Sequence, residues 1–308
     1  MRDSVIQRLA ELAVKEPRIF LITGDLGFGV LTDFAERFPN QFLNAGVAEQ
    51  NMTSVAAGLA LEGRIVFTYS IGNFPTLRCL EQLRNDVCYH DANVNVIAIG
   101  GGFSYGPLGM SHHATEDIGI LRTLPNLKVA VPSDPWQAAL VLDQIVASPG
   151  PSYLRLDKSA AGITEGRGAQ FRFGVAQKVR EGDHVTIIAA GGILGEVMSA
   201  ADELSAQGLD CRVIDMCSIK PLDENIVIEA AQETGGIVTV EEHNVIGGLG
   251  SAVAEVCLEQ GVQPKIFRRI GMKDIYSELV GSQTYLRSRY GMDQIAIVET
   301  VVSALKVA

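Results

Sequence analysis

The sequence predicts an α/β protein of two domains, each a mainly parallel sheet flanked by helices. Short apolar runs rich in β-branched residues alternate with helical patterns along the whole chain, which is typical of parallel strands joined by crossover helices. The length of 308 residues is enough to bury two cores. A glycine-rich polar stretch near the middle of the chain separates two such alternating regions.

The first region contains the predicted strands RIFLITG, RIVFTYS, VNVIAIGG and LKVAVPS. Its predicted helices are AEQNMTSVAAGLALEG, FPTLRCLEQLRNDVCYH and DPWQAALVLDQIVAS. In the last of these, Asp134 is placed to cap the helix and Pro135 suits its first turn. The N-terminal segment is predicted to be an amphipathic helix whose apolar face is formed by Ile6, Leu9, Ala10 and Ala13.

The domain boundary is expected in AGITEGRGAQFRFG, which has neither the helical nor the strand period. We assign residues 1–165 to the first domain, 166–180 to a linker and 181–308 to the second domain. In the second domain the predicted strands are HVTIIAAGG, CRVIDM, GIVTVEEH and KIFRRIGM. The predicted helices between them are LGEVMSAADELSAQG, DENIVIEAAQETG and GSAVAEVCLEQG.

Composition excludes several classes of function. A formal net charge of -11 argues against a nucleic-acid partner, because that binding depends on clustered Lys and Arg. No apolar run reaches the roughly 18 to 20 residues that a membrane span needs, and the start lacks the apolar core of a signal peptide. The five cysteines form no CxxC pair, which indicates reduced thiols and a cytoplasmic location.

Three local patterns leave more than one interpretation open. The GDLGFG stretch follows a strand, but its spacing is not GxGxxG, so a nicotinamide site is weakly indicated. Glu49 lies at the predicted start of a helix, where a carboxylate often serves only the helix dipole. The adjacent His112 and His113 diverge on any regular element, which disfavours a zinc site.

A wider pattern changes the interpretation of Glu49. GVAEQNM resembles the stretch of the transketolase family that carries the glutamate facing the cofactor's pyrimidine ring. GDL upstream and GMSHH, PSD, GPSYLR and VTVEEHNVIGGLGS downstream follow the order of that family. The resemblance covers essentially the whole chain and matches the pyrimidine-binding and C-terminal domains of transketolase and of deoxyxylulose-phosphate synthase.

The resemblance implies a thiamine diphosphate site. Glu49 would contact N1' of the aminopyrimidine and so promote the imino form that deprotonates C2. Phe74 is the first candidate to stack on this ring, and Tyr69 is the second. Asp25 and Leu26 correspond to family positions near the thiazolium and the dimer cleft.

The resemblance also implies a substrate site. His112 corresponds to the histidine that faces the substrate oxygen, and His113 replaces a common glutamine. Lys158 and Arg155 would hold an anionic tail, which Arg2 could join. Leu108 replaces an aspartate found four residues before that histidine, so the usual sugar-phosphate specificity is not expected.

The diphosphate half of the family's site is missing from this sequence. Its GDG stretch, which leads to a divalent metal site, does not occur here. The resemblance therefore implies a separate diphosphate-binding subunit that ligates most of a Mg²⁺ ion, in an α2β2 assembly. The predicted function is a split-transketolase subunit that transfers a two-carbon ketol unit. The alternatives are the β subunit of a 2-oxo acid dehydrogenase, a non-catalytic regulatory subunit and a nicotinamide oxidoreductase.

Overall fold

Two β-sheets organise the chain, which the structure, a computed structural model, describes over residues 1–162 and 171–307. The strands of this part are β1 (Ile19–Thr23), β2 (Phe42–Asn44), β3 (Ile65–Ile71), β4 (Val94–Ile99), β5 (Lys128–Ala130), β6 (Ser152–Leu156), β7 (Gln177–Arg180), β8 (Val185–Ala189), β9 (Cys211–Asp215), β10 (Ser218–Lys220), β11 (Ile237–Asn244) and β12 (Phe267–Met272). The first sheet has the order β10-β5-β6-β4-β3-β1-β2, and the second has the order β12-β11-β8-β9-β7.

Helices cover these sheets. They are α1 (Arg2–Lys15), α2 (Thr32–Arg37), α3 (Glu49–Leu61), α4 (Leu80–Gln82), α5 (Asp117–Leu121), α6 (Pro135–Ala147), α7 (Leu194–Ala206), α8 (Glu224–Glu233), α9 (Leu249–Glu259), α10 (Gln283–Arg289) and α11 (Gln294–Val307). Short 3-10 turns occupy Pro39–Gln41, Leu77–Cys79, Gly106–Leu108 and Met110–His112, and a π-helical turn occupies Leu83–Cys88. Within the described ranges, no helix is both long and apolar enough to cross a bilayer.

The predicted α/β class is confirmed. Within each sheet all neighbouring strands are parallel except the pairs β10–β5 and β7–β9. Strands β4 and β6 are buried at every position, as expected where helices cover both faces of a parallel sheet, and the polar Asn95, Ser152 and Arg155 are buried with them. The N-terminal helix α1 buries its predicted apolar face and packs against α6.

The helix predicted over residues 74–90 differs in the structure. It begins only at Leu77, as a 3-10 turn, and it widens into the π-helical turn Leu83–Cys88. Thr76 has a non-helical backbone (φ -113°, ψ -83°), so a regular helix cannot run through residues 74–76. Irregular helices of this kind are frequent at functional sites.

The predicted linker also differs at its C-terminal end. Residues 163–170, which contain its start, lie outside the described part of the chain. Residues 177–180 form the edge strand β7, which pairs antiparallel with β9 of the second sheet. The polar pattern of β7 hid this strand from the sequence analysis, because an edge strand of this kind needs only one buried residue, Val179.

A strand of the second domain completes the first sheet. Residues 218–220 form β10, which pairs antiparallel with β5. The backbone N–H of Val131 also donates to the carbonyl of Cys217 at 2.7 Å. The two domains therefore share one hydrogen-bonded sheet in addition to their packed side chains.

Candidate active site

Glu49 is a buried carboxylate at the first residue of α3. Its side chain is 3% exposed, and its Oε2 accepts a hydrogen bond from Nη1 of Arg78 at 2.8 Å. The backbone of Gly24 lies so close that a Cβ at that position would be 3.3 Å from Cγ of Glu49. A glycine therefore leaves room for the carboxylate, and one half-exposed guanidinium balances its charge.

Phe74 and Arg78 extend the site from this carboxylate. The guanidinium carbon of Arg78 lies 4.7 Å from the centre of the Phe74 ring, a cation–π distance. Phe74 is half-buried, while Arg78 keeps 47% of its side chain exposed. The structure thus brings an aromatic ring and a buried carboxylate together through a single arginine.

The ring of His112 also contacts Phe74. The two ring centres are 5.3 Å apart in an edge-on arrangement. The amide of Asn73 donates to the carbonyls of Ser111 at 3.3 Å and of His113 at 2.9 Å, which fixes the segment that carries His112. The residue before Phe74 therefore ties the histidine segment to the aromatic segment.

His113 is 3% exposed and packs edge-on against Phe103, with ring centres 5.1 Å apart. Its Nε2 lies 3.1 Å from the carbonyl oxygen of Gly106, while Nδ1 has no hydrogen-bond partner among the described residues. The ring lines a cavity of about 540 Å³, together with Phe74, Arg78 and Glu116. Burial raises the pKa of the Glu116 carboxyl at this cavity.

Two of the residues predicted to bind an anion, Lys158 and Arg2, line a second cavity of about 240 Å³. Met1, Asp3 and Asp157 line it with them. The ammonium of Lys158 lies 3.8 Å from the centre of the Tyr105 ring. Partial burial is the larger cause that lowers the pKa of Lys158, and the nearby Arg2 guanidinium lowers it further. Arg2 itself pairs with Asp3 at 2.8 Å, so one of the two cations is partly neutralised.

Arg155 does not fit the role that the resemblance implied. Its side chain is 1% exposed, and Nε donates to Asp117 at 2.9 Å. Its Nη2 donates to the carbonyls of Ala114 and Glu242, both at 2.9 Å. The guanidinium is thus buried between the two domains, where it donates hydrogen bonds to Asp117 and to two backbone carbonyls. We therefore correct the prediction and remove Arg155 from the anion site.

The three further residues predicted to contact the cofactor are Tyr69, Asp25 and Leu26. Tyr69 is 4% exposed and packs in the core near Gly27 and Leu31, where burial raises its pKa to about 12. Phe74 is therefore the better placed of the two stacking candidates. Asp25 has a positive φ of 58° and exchanges hydrogen bonds of 3.0 Å with Asn44. Leu26 is half-buried beside it.

Sequence reasoning missed Arg78 and Tyr105. Arg78 lies four residues after Phe74, a spacing that places two side chains on one face of a helix. That spacing was the available signal. Tyr105 gave none, because its contact with Lys158 joins segments that are distant in the sequence.

The comparison with known families decides the identity. Residues 1–163 match the model "Transketolase, pyrimidine binding domain", and residues 174–297 match "Transketolase, C-terminal domain". The chain belongs to the transketolase family. This transketolase-family chain is 38% identical over 299 residues to the 6-deoxy-6-sulfo-D-fructose transketolase subunit SqwH of Clostridium sp. (strain MSTE9), covering 97% of this chain and 92% of that subunit.

A second relative is an apulose-4-phosphate transketolase subunit of Phocaeicola vulgatus, 37% identical over 307 residues, with 99% of this chain and 97% of that subunit covered. A solved split-gene transketolase, described as an inactive beta4 tetramer, has a TM-score of 0.90 and 37% identity, and the match covers 99% of this chain and 98% of that one. These relatives confirm the prediction that the chain is a subunit of a transketolase-type transferase. They do not support the dehydrogenase and oxidoreductase alternatives.

Proposed function

We propose that this chain supplies the pyrimidine-activating half of a thiamine-diphosphate transketolase, which transfers a two-carbon ketol unit from an anionic ketose to an aldose. One observation supports this most: an unbroken row of contacts joins the predicted cofactor end to the predicted anion end. The row runs from Glu49 to Arg78 (2.8 Å), Phe74 (4.7 Å to the ring), His112 (5.3 Å between rings), Tyr105 (6.4 Å between rings) and Lys158 (3.8 Å to the ring).

The residues at the first end of this row fit the cofactor. A buried carboxylate and a half-buried aromatic ring are what a flat, protonatable heterocycle requires. When bound, thiamine diphosphate supplies the carbon nucleophile that attacks the ketose carbonyl. Glu49 would hold a proton at N1', and Phe74 would stack on the ring and fix its orientation. Mg²⁺ would be ligated mainly by the other subunit.

The residues at the second end fit an anionic substrate. His112 would exchange a proton with the substrate oxygen, and Lys158 with Arg2 would bind the charged tail. The names of the two relatives describe a sulfonated and a phosphorylated sugar, both anionic. Leu108 is 55% exposed on the loop before His112 and has no polar group for an α-hydroxyl. A ketose other than the usual sugar phosphates is therefore proposed.

The partner is proposed to be a separate diphosphate-binding subunit in an α2β2 assembly. The split-gene relative is described as inactive when it forms a tetramer of β chains, which agrees with a need for a second chain. A cytoplasmic location is proposed from the five cysteines, all free and buried.

Reconstitution tests this function. The purified chain would be mixed with the GDG-containing partner subunit, thiamine diphosphate and Mg²⁺, and ketol transfer from 6-deoxy-6-sulfofructose and from fructose 6-phosphate would be assayed. Transfer is expected only when both chains are present. A stable complex that transfers no ketol unit from either donor would favour the regulatory-subunit alternative instead.

His112→Ala should lower kcat about 100-fold, because the variant has no imidazole to exchange a proton with the substrate. KM should stay within about 3-fold of the wild-type value. Steady-state kinetics of the reconstituted complex would measure both constants, with His90→Ala, an exposed histidine beside Tyr89, as the matched control. An unchanged kcat in His112→Ala would contradict the role given to His112.

Lys158→Met should raise KM for a phosphorylated or sulfonated ketose about 10-fold or more, because the tail loses a charge partner. The effect on an uncharged ketose such as erythrulose should be below about 2-fold. Lys265→Met, an exposed lysine of the second domain, provides the control. Equal losses for charged and uncharged donors would argue that Lys158 acts on the fold rather than on the anion.

A further inference from the structure

The loop between residues 102 and 114 carries the central part of the row of contacts. Its ends are closed by two hydrogen bonds, from Gly102 N–H to the Ala114 carbonyl at 2.8 Å and from Ala114 N–H to the Gly102 carbonyl at 3.0 Å. Tyr105 and His112 lie on this loop. Whatever fixes the base of the loop therefore fixes both rings.

Glu242 of the second domain contacts that base. It lies on β11, is 2% exposed, and its Oε1 accepts a hydrogen bond from the Phe103 N–H at 2.5 Å. The carboxylate is so close to the loop that a Cβ on Gly102 would be 2.3 Å from Oε1. The second domain thus contacts the base of the loop through a buried carboxylate.

Gln283 of α10 holds this carboxylate in place. Its Nε2 donates to Oε1 of Glu242 at 2.9 Å and to Oε2 at 3.2 Å. The same nitrogen lies 3.4 Å from the hydroxyl oxygen of Ser104. Arg287, one turn further along α10, also pairs with Glu242. The amide of Gln283 therefore bridges the buried carboxylate and the loop.

Ser104 lies between Gln283 and the backbone of Lys158. The backbone N–H of Lys158 donates to the Ser104 hydroxyl at 3.2 Å, and the Lys158 ammonium lies over the ring of Tyr105. The backbone of Lys158 is thus linked to the second domain through Ser104 and Gln283. Its side chain contacts Tyr105 of the loop. A shift of Ser104 would move both attachments.

We propose that Gln283, acting with Glu242, is a positioning residue that sets where Lys158 holds the charged tail of the substrate. This inference rests on the proposed function. The second domain would then influence substrate selection. Gln283 and Glu242 would act through Lys158 and would not touch the reacting atoms themselves. A purely architectural role would instead affect stability and leave the preference for charged donors unchanged.

Gln283→Met tests the proposal, because methionine keeps the length of the side chain but removes the N–H groups. In the reconstituted complex, with glyceraldehyde as acceptor, KM for the charged donor 6-deoxy-6-sulfofructose should rise about 5- to 10-fold while kcat stays within about 3-fold. KM for the uncharged donor erythrulose should change less than about 2-fold. Gln283→Lys, which restores a donor to Glu242, should recover most of the loss.

Gln260→Met is the matched control, because Gln260 makes a similar bond to Glu224 at 3.2 Å on an exposed surface of the same domain. The wild-type complex is assayed first with both donors, so absence of any transfer counts against the proposed function alone. In an active complex, the positioning role is overturned if Gln283→Met behaves like Gln260→Met, if both donors lose equally, or if Gln283→Lys is as impaired as Gln283→Met.

Discussion

Glu49→Gln should lower ketol transfer at least about 100-fold in the reconstituted complex. The amide has the same shape and still accepts the hydrogen bond from Arg78, so packing at the start of α3 is retained. It can neither carry a negative charge nor hold an exchangeable acidic proton at the cofactor ring. The loss should appear in kcat, measured at saturating thiamine diphosphate.

The control for this variant is Glu62→Gln, at the exposed C-terminal end of the same helix, which should keep full activity. Size-exclusion chromatography should show that Glu49→Gln assembles with its partner as the wild type does. Turnover near the wild-type rate in a properly assembled Glu49→Gln complex would refute the assignment of Glu49 to the cofactor.

Arg155→Met should destabilise the protein by about 3–5 kcal/mol, the usual cost when one member of a buried ion pair is removed. Asp117 is completely buried, and among the described residues its Oδ2 would keep the hydroxyl of Tyr153 as its side-chain partner. The carbonyls of Ala114 and Glu242 would each lose a donor. Urea unfolding of the purified chain would measure the change in the free energy of unfolding.

Arg180→Met is the matched control, since Arg180 pairs with the exposed Asp202 and such surface pairs contribute less than about 1 kcal/mol. For Arg155→Met, unlike Arg180→Met, the main loss should appear in the free energy of unfolding. A stable Arg155→Met protein whose KM alone is raised would restore the substrate role that the resemblance implied and the buried position excludes.

Several strands were predictable because their residues are mostly apolar or β-branched. β4 is an example: five of its six residues are apolar, because a strand that is covered on both faces buries every side chain. Helix α6 was predictable from Asp134 and Pro135 at its start, although the Asp134 side chain accepts from the N–H of Gly162 instead of from its own helix. Local chemistry was sufficient in these cases.

The site was predictable only in part, because its contacts join distant segments. The resemblance pointed to Glu49, Phe74 and His112, and the structure brings them together through Arg78. Arg155 was misassigned because an arginine in a strand, three residues before Lys158, is equally compatible with a charged ligand and with a buried aspartate. Only the fold shows that Asp117 lies opposite it.

The short strand β10 has a consequence for any attempt to dissect the protein. A fragment that ended after residue 162 would lack residues 218–220 and leave the outer edge of β5 without hydrogen-bond partners. Exposed edges of this kind pair with other molecules and lead to aggregation. A soluble N-terminal fragment would therefore need the missing segment supplied as a peptide, or polar and charged substitutions along that edge.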